Sequence, residues 1–234
     1  MAVITISRQF GCGGEYVAER VAEKLGFRFM HKELIKYIAI LMETDEEKVK
    51  KFDEEHHSSA RSFFSKFIDT ELFSDMMNDV SEKDRKEAAK AIEHNDPVSF
   101  FDVYSKPDVM FDSTSFNKVA DMIIRKLADE TNCVIMGRGG QCVLADHENA
   151  LHLRLIAPFE DRVTWVKNRE KVGKSDAVQL VKDVDKRKRN YIKHYYNADI
   201  DDYHIYHAIL NMKKLDIEQT ALSIAETAKI KFKL

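Results

Sequence analysis

The chain has 234 residues, of which 44% are hydrophobic and 33% charged, and its formal net charge is −3. This composition excludes a disordered chain and a small disulfide-stabilised domain, and the net charge gives no general attraction to nucleic acid or to an acidic membrane. With only 8 glycines and 3 prolines, the chain is expected to be largely helical.

The first predicted unit is a strand, a glycine-rich loop and a helix. Residues 2–6 are apolar and β-branched, which indicates a buried strand. From Gly14 onward, apolar residues recur at helical spacing until Gly26, where the helix is expected to end. Residues 27–30 could form a second short strand, and 34–41 another helix. Segment 43–105 is charged, shows helical periodicity and contains no convincing strand, so it is interpreted as a helical insertion.

Alternation of helices and strands returns in the second half. A helix at 116–130 precedes a buried strand at 133–136, which ends in Gly137-Arg138-Gly139-Gly140. Five more elements are predicted: a strand at 151–156, helices at 159–172 and 175–194, a strand at 206–210 and a helix at 216–229. Strands separated by helices predict an α/β fold with a parallel sheet, whose ligands bind outside the carboxyl ends of the strands. Both glycine-rich turns fall at that end.

The first glycine loop follows the first strand. Three glycines, Gly11, Gly13 and Gly14, occur within four residues of a glycine-poor chain. Backbone N–H groups exposed at a strand-to-helix turn, together with the helix dipole, favour a bound phosphate. The alternative is a tight structural turn without a ligand. The glycine spacing does not match the dinucleotide-binding fingerprint.

Three segments then show a resemblance to a known family. ITISRQFGCGGEYVAERVAEKLGFRFMHKELI resembles the start of the cytidylate kinase-like proteins, relatives of the nucleoside monophosphate kinases with a P-loop fold. VIMGRGGQCVLADHENALHLRLIAPFEDRVTWV and YHAILNMKKLDIEQTALSIAETA resemble later strands and helices of that family. The resemblance implies a single P-loop kinase-like domain over 1–234, a parallel sheet flanked by helices, with the insertion at 43–105 and a lid region at 158–195.

The same resemblance implies phosphoryl transfer from ATP with Mg²⁺ to a small acceptor, with CMP as the candidate. The loop departs from the standard P-loop, because aligning Gly13 on its second glycine places Gly14 at the lysine and Glu15 at the hydroxyl residue. Binding is therefore better supported than turnover. The loop residues predicted to bind the cofactor are Ser7, Arg8, Gly11, Cys12, Gly13, Gly14 and Glu15.

Four arginines are the candidate cations for the phosphates. Arg8 could replace the missing lysine, with an ordinary surface arginine as the alternative. The resemblance places Arg138 at the acceptor phosphate, where a planar guanidinium suits the task, and a structural salt bridge is its rival. Arg187 and Arg189 follow Lys182-Asp183 with a spacing that resembles the cytidylate kinase lid, and the resemblance implies that they stabilise charge on the transferred phosphoryl group; the alternative is a solvated helix face.

Location and partners are inferred from what the sequence lacks. Cys12, Cys133 and Cys142 have no metal-like spacing, which argues for a reducing compartment and against a structural metal. No apolar run approaches the roughly 20 residues of a membrane span. A cytoplasmic protein that binds a small-molecule nucleotide, not nucleic acid or membrane, is expected, with its oligomeric state open. Two rivals remain: a degenerate P-loop protein that binds nucleotide without turnover, and a helical protein-interaction module.

Overall fold

The computed structural model describes residues 1–30 and 113–234; the predicted helix at 34–41 and the predicted insertion at 43–105 lie outside them. The chain divides into two units, Met1–His31 with Leu127–Leu234, and Lys32–Lys126. The first unit contains the sheet and both glycine turns. The second is described only from residue 113 onward, as part of one helix.

A parallel five-stranded sheet forms the centre of the first unit, in the order β2-β3-β1-β4-β5. Its strands are β1 (Val3–Arg8), β2 (Arg28–Met30), β3 (Cys133–Met136), β4 (Ala150–Ile156) and β5 (Ala208–Asn211). Each lies where the sequence predicts a strand, to within two residues at either end. The predicted α/β class with a parallel sheet flanked by helices is confirmed.

Six α-helices accompany the sheet among the described residues. They are α1 (Gly14–Leu25), α2 (Ser113–Glu130), α3 (Gly140–Val143), α4 (Phe159–Glu170), α5 (Lys174–Tyr196) and α6 (Ile217–Phe232), and a short 3₁₀ turn covers Tyr203–Ile205. Gly26 ends α1 in the left-handed conformation, as its place in the sequence predicts. None of the described helices is both long and apolar enough to cross a bilayer.

The two faces of β1 differ in chemistry. Ile4 and Ile6 enter an apolar core in which α1 and α6 pack on the sheet. Successive side chains of a strand point to opposite faces, so Thr5 and Ser7 lie on the other face, and both are buried. The register sets Thr5 opposite His152 and Ser7 opposite Arg154 on β4. A buried polar stripe therefore runs along this face toward the carboxyl ends of the strands.

His152 is held in one tautomer by this stripe. Its Nε2 lies 3.1 Å from the carbonyl oxygen of Leu144, which can only accept, so Nε2 carries the proton. Its Nδ1 then accepts the hydroxyl of Thr5 at 2.8 Å. Burial, with the nearby His207, lowers the pKa of His152 to about 4. The imidazole is thus neutral and ties β1 to the segment after α3.

Candidate nucleotide-binding site

The first glycine loop uses its glycines for different reasons. Gly11 and Gly13 have φ values of 79° and 77°, in the left-handed region that favours glycine. A Cβ on Gly11 would lie 2.7 Å from Cγ2 of Val166 and 2.9 Å from the backbone oxygen of Arg162, whereas one on Gly13 would meet no atom within 4 Å. Gly11 therefore fits the loop against α4, and Gly13 borders open space at the start of α1.

Gly14 is covered by the side chain of Arg8. A Cβ at Gly14 would lie 3.0 Å from both Cβ and Cγ of Arg8. At its other end, Nη1 of Arg8 would lie 2.6 Å from a Cβ on Gly137, in the second glycine turn. The stem of Arg8 thus rests on the first turn and its guanidinium reaches the second. Arg8, which the sequence offers as a replacement for the missing loop lysine, thus lies between the two turns.

Two helices anchor the loop through a shared carboxylate. The backbone N–H of Phe10 donates to Oδ1 of Asp185 at 2.8 Å. Nη1 of the buried Arg162 donates to Oδ2 of Asp185 at 2.5 Å and to the carbonyl oxygen of Phe10 at 3.0 Å. Arg162 from α4 and Asp185 from α5 therefore pair with each other and together hold the backbone of Phe10 in place.

Lys188 is a cation at the loop that the sequence analysis missed. Its ammonium donates to the carbonyl oxygen of Arg8 at 3.2 Å and lies 5.7 Å from the ring centre of Phe10. Burial, followed by the positive charge of Arg8, lowers the pKa of Lys188 to about 7, while Asp185 acts in the opposite direction. One signal was available: Lys188 follows Asp185 by three residues, which places both on one helix face.

Three other predicted loop residues have distinct surroundings. Ser7 is buried, and its Oγ accepts from Nη1 of Arg154 at 3.0 Å and from the hydroxyl of Tyr206 at 3.3 Å. Burial raises the pKa of the Cys12 thiol, which donates to the carbonyl oxygen of Leu155, so Cys12 fills space as a neutral thiol. Glu15 lies in the first turn of α1 and is partly exposed.

The second glycine turn contains three successive left-handed residues, Gly137, Arg138 and Gly139, with φ values of 78°, 54° and 70°. Arginine in this conformation is strained. The ring of Tyr196 lies on Gly139, because a Cβ there would be 2.3 Å from Cε2 of Tyr196. The Tyr196 hydroxyl donates to the carbonyl oxygen of Arg138 at 3.4 Å. The last turn of α5 thus docks on the turn that presents Arg138.

A small cavity of about 20 Å³ lies among β1, β4, α5 and the segment before β5. Its charged lining consists of four basic and two acidic residues: Arg8, Arg154, Lys188, Arg189, Asp185 and Asp201. The structure therefore brings two predicted cations, Arg8 and Arg189, to one cavity. Arg138 and Arg187 do not line it; Arg187 is on α5, partly exposed. Within the described ranges, no three histidine, cysteine or acidic residues are placed to hold a metal ion.

Comparison with known proteins adds a family to this geometry. The model of the cytidylate kinase-like family matches residues 3–214. The crystal structure of an uncharacterized protein from Eubacterium ventriosum shares the fold at a TM-score of 0.61 and 20% identity, with 98% of each chain covered. No curated protein matches the chain.

Two kinases align over nearly their whole length at lower scores. Shikimate kinase from Bacteroides thetaiotaomicron has a TM-score of 0.47 and 12% identity, covering 100% of this chain and 99% of its own. Dephospho-CoA kinase from Campylobacter jejuni has a TM-score of 0.38 and 14% identity, covering 97% and 96%.

Proposed function

The chain belongs to the cytidylate kinase-like family, and from that premise we propose that it is a nucleotide-binding phosphotransferase, an ATP-dependent kinase of nucleoside monophosphates with CMP as the first acceptor to test. One observation carries the proposal. The Arg8 side chain extends from Gly14 in the first glycine turn to Gly137 in the second, so a cation lies between the turn proposed to hold the donor phosphates and the turn that carries Arg138.

The proposed roles follow the placement of each group. The amides of 11–14 hold the donor phosphates at the start of α1, where the helix dipole favours negative charge. Arg8 and Lys188 supply the positive charge that the loop lysine gives in a standard P-loop. Arg189 approaches the transferred phosphoryl group from α5, and Arg138 binds the phosphate of the acceptor. Arg187 is proposed as a second lid cation from the family resemblance alone.

ATP and Mg²⁺ fit this site unequally. The glycine turn is a backbone cradle suited to phosphate, and a side chain at Gly14 would meet Arg8. For Mg²⁺, the hydroxyl residue of a standard P-loop is replaced by Glu15, and the hydroxyl of Ser7 is engaged with Arg154. Glu15 is the loop carboxylate that could contact the ion directly or through water, since Mg²⁺ keeps several waters and binds phosphate oxygens. When bound, the ion would neutralise charge on the phosphates.

A second function, nucleotide binding without turnover, is favoured by a specific observation. Glycine and glutamate occupy the two positions whose side chains a standard P-loop uses on phosphate and magnesium. The aliphatic part of Arg8 covers Gly14, so the space beside the position of the standard lysine is filled by another side chain. The third candidate, a helical interaction module, rests on 43–105 and lies outside the described residues.

Thermal melting and an acceptor panel separate these functions. If the loop binds nucleotide, ATP at a hundredfold excess over its Kd should stabilise the fold by about 2.7 kcal/mol. ADP production should then depend on one member of a panel of CMP, UMP, AMP and GMP. A melting shift without ADP production from any acceptor would leave binding without turnover. No shift at millimolar ATP, with or without Mg²⁺, would overturn both functions.

The Arg8→Ala variant tests the observation that carries the proposal. Loss of one charge-assisted contact should weaken triphosphate binding by about 1.5–3 kcal/mol while leaving nucleoside binding unchanged. Arg20→Ala is the matched control, because Arg20 is an exposed residue of α1 that pairs with Glu23 and Glu218. Equal ATP affinity in the Arg8→Ala and Arg20→Ala proteins would remove Arg8 from the site.

The cytoplasm is the compartment we propose. All three cysteines are free thiols, and two of them, Cys12 and Cys133, are buried. Burial raises the pKa of Cys133 to about 12, so this side chain is held as an inert thiol. Free buried thiols support a reducing environment.

A further inference from the structure

Arg154 is a buried guanidinium that has one charged hydrogen-bond partner within residues 1–30 and 113–234. It lies near the carboxyl end of β4 and is 5% exposed. Its Nη1 donates to the neutral hydroxyls of Ser7 and Tyr206, at 3.0 and 3.4 Å. Its Nη2 donates to Oδ1 of Asp201 at 2.5 Å. Leaving a buried charge without its counter-ion costs free energy, so the burial of the Arg154 guanidinium depends on the carboxylate of Asp201.

Asp201 joins two arginines from different elements. Its Oδ2 lies 3.2 Å from Nε of Arg189 on α5, while Oδ1 contacts Arg154 on β4. The carboxylate is 45% exposed, unlike the guanidinium of Arg154. It belongs to the segment between α5 and β5, where its backbone N–H donates to Asp199. An exposed carboxylate on a connecting segment thus neutralises a buried cation and a surface cation together.

Among the residues that the structure describes, the lining of the surrounding cavity has more basic than acidic side chains. Arg8, Arg154, Lys188 and Arg189 face two carboxylates, and one of these, Asp185, is already bound by Arg162 from outside the cavity. Asp201 is therefore the carboxylate whose departure would open Arg154 and Arg189 to an incoming group. A phosphoryl group offers two negative charges and several acceptor oxygens, which suits paired guanidinium groups.

We propose that this cavity is a phosphoryl-oxyanion site in which Asp201 is a displaceable counter-ion, so that the carboxylate and a phosphoryl group compete for Arg154 and Arg189. The proposal deepens the proposed function, because the phosphoryl group would belong to a bound nucleotide. Asp201 then sets the negative charge that a ligand must carry to displace the carboxylate and stay bound.

Pyrophosphate is the probe, and Asp201→Asn is the principal variant. Without the competing carboxylate, pyrophosphate should bind roughly tenfold tighter than to the wild-type chain, the size of a typical coupling between two binding events. The variant should also melt at a lower temperature in phosphate-free buffer, and saturating pyrophosphate should restore the loss. Asp202→Asn is the matched control, because Asp202 is a neighbouring acid whose Oδ1 bonds His204.

Two results would overturn the proposal. One is pyrophosphate binding no tighter in Asp201→Asn than in the Asp202→Asn control. The other is a melting loss that persists at saturating probe, which would make Asp201 a structural partner only. Should Asp201→Asn fail to fold, Arg189→Gln serves instead, since Arg189 is exposed; it should weaken pyrophosphate binding about fivefold, and unchanged binding would equally overturn the proposal.

The nucleotide arms identify the source of the phosphoryl group. A tightening in Asp201→Asn for ATP but not ADP assigns the site to the terminal phosphate of the donor, and one for CMP assigns it to the acceptor. Failure of the proposed function is distinguishable. Tighter pyrophosphate binding without any ATP-induced melting shift would support the oxyanion site and contradict the proposed kinase function. Turnover with identical pyrophosphate binding in the Asp201→Asn and Asp202→Asn variants would support the kinase function and contradict the oxyanion site.

Discussion

The two glycine turns end neighbouring strands and are both touched by α5, yet they are built differently. In the first turn, Gly11 lies against α4, where both a methyl group of Val166 and the backbone oxygen of Arg162 would be within 3 Å of a Cβ. In the second, Gly139 lies against the ring of Tyr196, a side chain at the end of α5. A glycine packed against backbone fixes a loop, whereas one packed against a side-chain tip leaves a contact that can be remade. The first turn is thus the rigid part of the site.

The largest effect is expected at the rigid turn. Gly11→Ala adds a left-handed penalty of about 1–2 kcal/mol to an overpacking cost of about 1–3 kcal/mol against Val166 and Arg162. Gly13→Ala carries the same backbone penalty but meets no atom within 4 Å, so it should lose only about 1–2 kcal/mol. Urea unfolding measures both. Equal losses would show that α4 does not constrain the loop.

Acid should lower the stability of the fold through His152, which joins β1, before the first turn, to Leu144, after the second. The pKa of His152 is about 4 in the folded chain against 6.5 for the unperturbed group, because burial disfavours its charged form. The unfolded chain therefore takes up a proton as pH falls through 6.5 and the folded chain does not. About 3 kcal/mol of stability should be lost between pH 6.5 and 4.

Urea unfolding across that pH range is the measurement. His152→Gln removes the titrating group and should flatten this part of the profile, although the variant is less stable throughout. His207→Gln is the control for the neighbouring imidazole. An unchanged pH profile in His152→Gln would assign the acid sensitivity to other groups.

A double-mutant cycle tests the yielding turn. Gly139→Ala should cost about 2 kcal/mol, from the left-handed backbone and from displacement of the Tyr196 ring. In a Tyr196→Ala background the steric part disappears, so the second substitution should cost less than it does alone. Strict additivity would mean that α5 does not dock on Gly139.

The smallest effect concerns Lys188 at the first turn. The pKa of Lys188 is lowered to about 7 by burial and by Arg8, so its ammonium loses its proton as pH rises through 7. Pyrophosphate binding should weaken by about tenfold between pH 6 and 8, with proton uptake on binding near neutral pH. Lys188→Met should remove this tenfold change and leave only the effect of the titration of pyrophosphate itself, whereas Lys186→Met, at an exposed lysine of the same helix, should keep it. Identical pH profiles in the two variants would contradict the role.

The elements of the fold were predictable because their signals are local. The spacing of Val17, Ala18 and Val21 defines α1, and Gly26 ends it. The strands of a parallel sheet are short apolar runs, and the predicted runs coincide with the observed ones. The family follows from residues that keep their order along the chain. Local patterns of this kind require no knowledge of which strands are neighbours.

The charged cluster could not be predicted in the same way, because sequence separation hides it. Arg154 and Asp201 are 47 residues apart, and Lys188 and Arg8 are 180 apart. Ser7 presents a hydroxyl that suits a phosphate, but only the register of β1 on β4 reveals that Arg154 takes it. The direction of the Arg8 side chain likewise depends on Gly14 and on a turn from the other half of the chain.

The left-handed arginine in the second turn has a consequence for engineering. Arg138→Gly would remove a backbone cost of about 1–2 kcal/mol, partly offset by the greater freedom of glycine in the unfolded chain. The same substitution deletes the guanidinium proposed for the acceptor phosphate. Selection for heat resistance alone is therefore expected to favour glycine at 138 and to lose this guanidinium, so libraries built for stability should hold the position fixed.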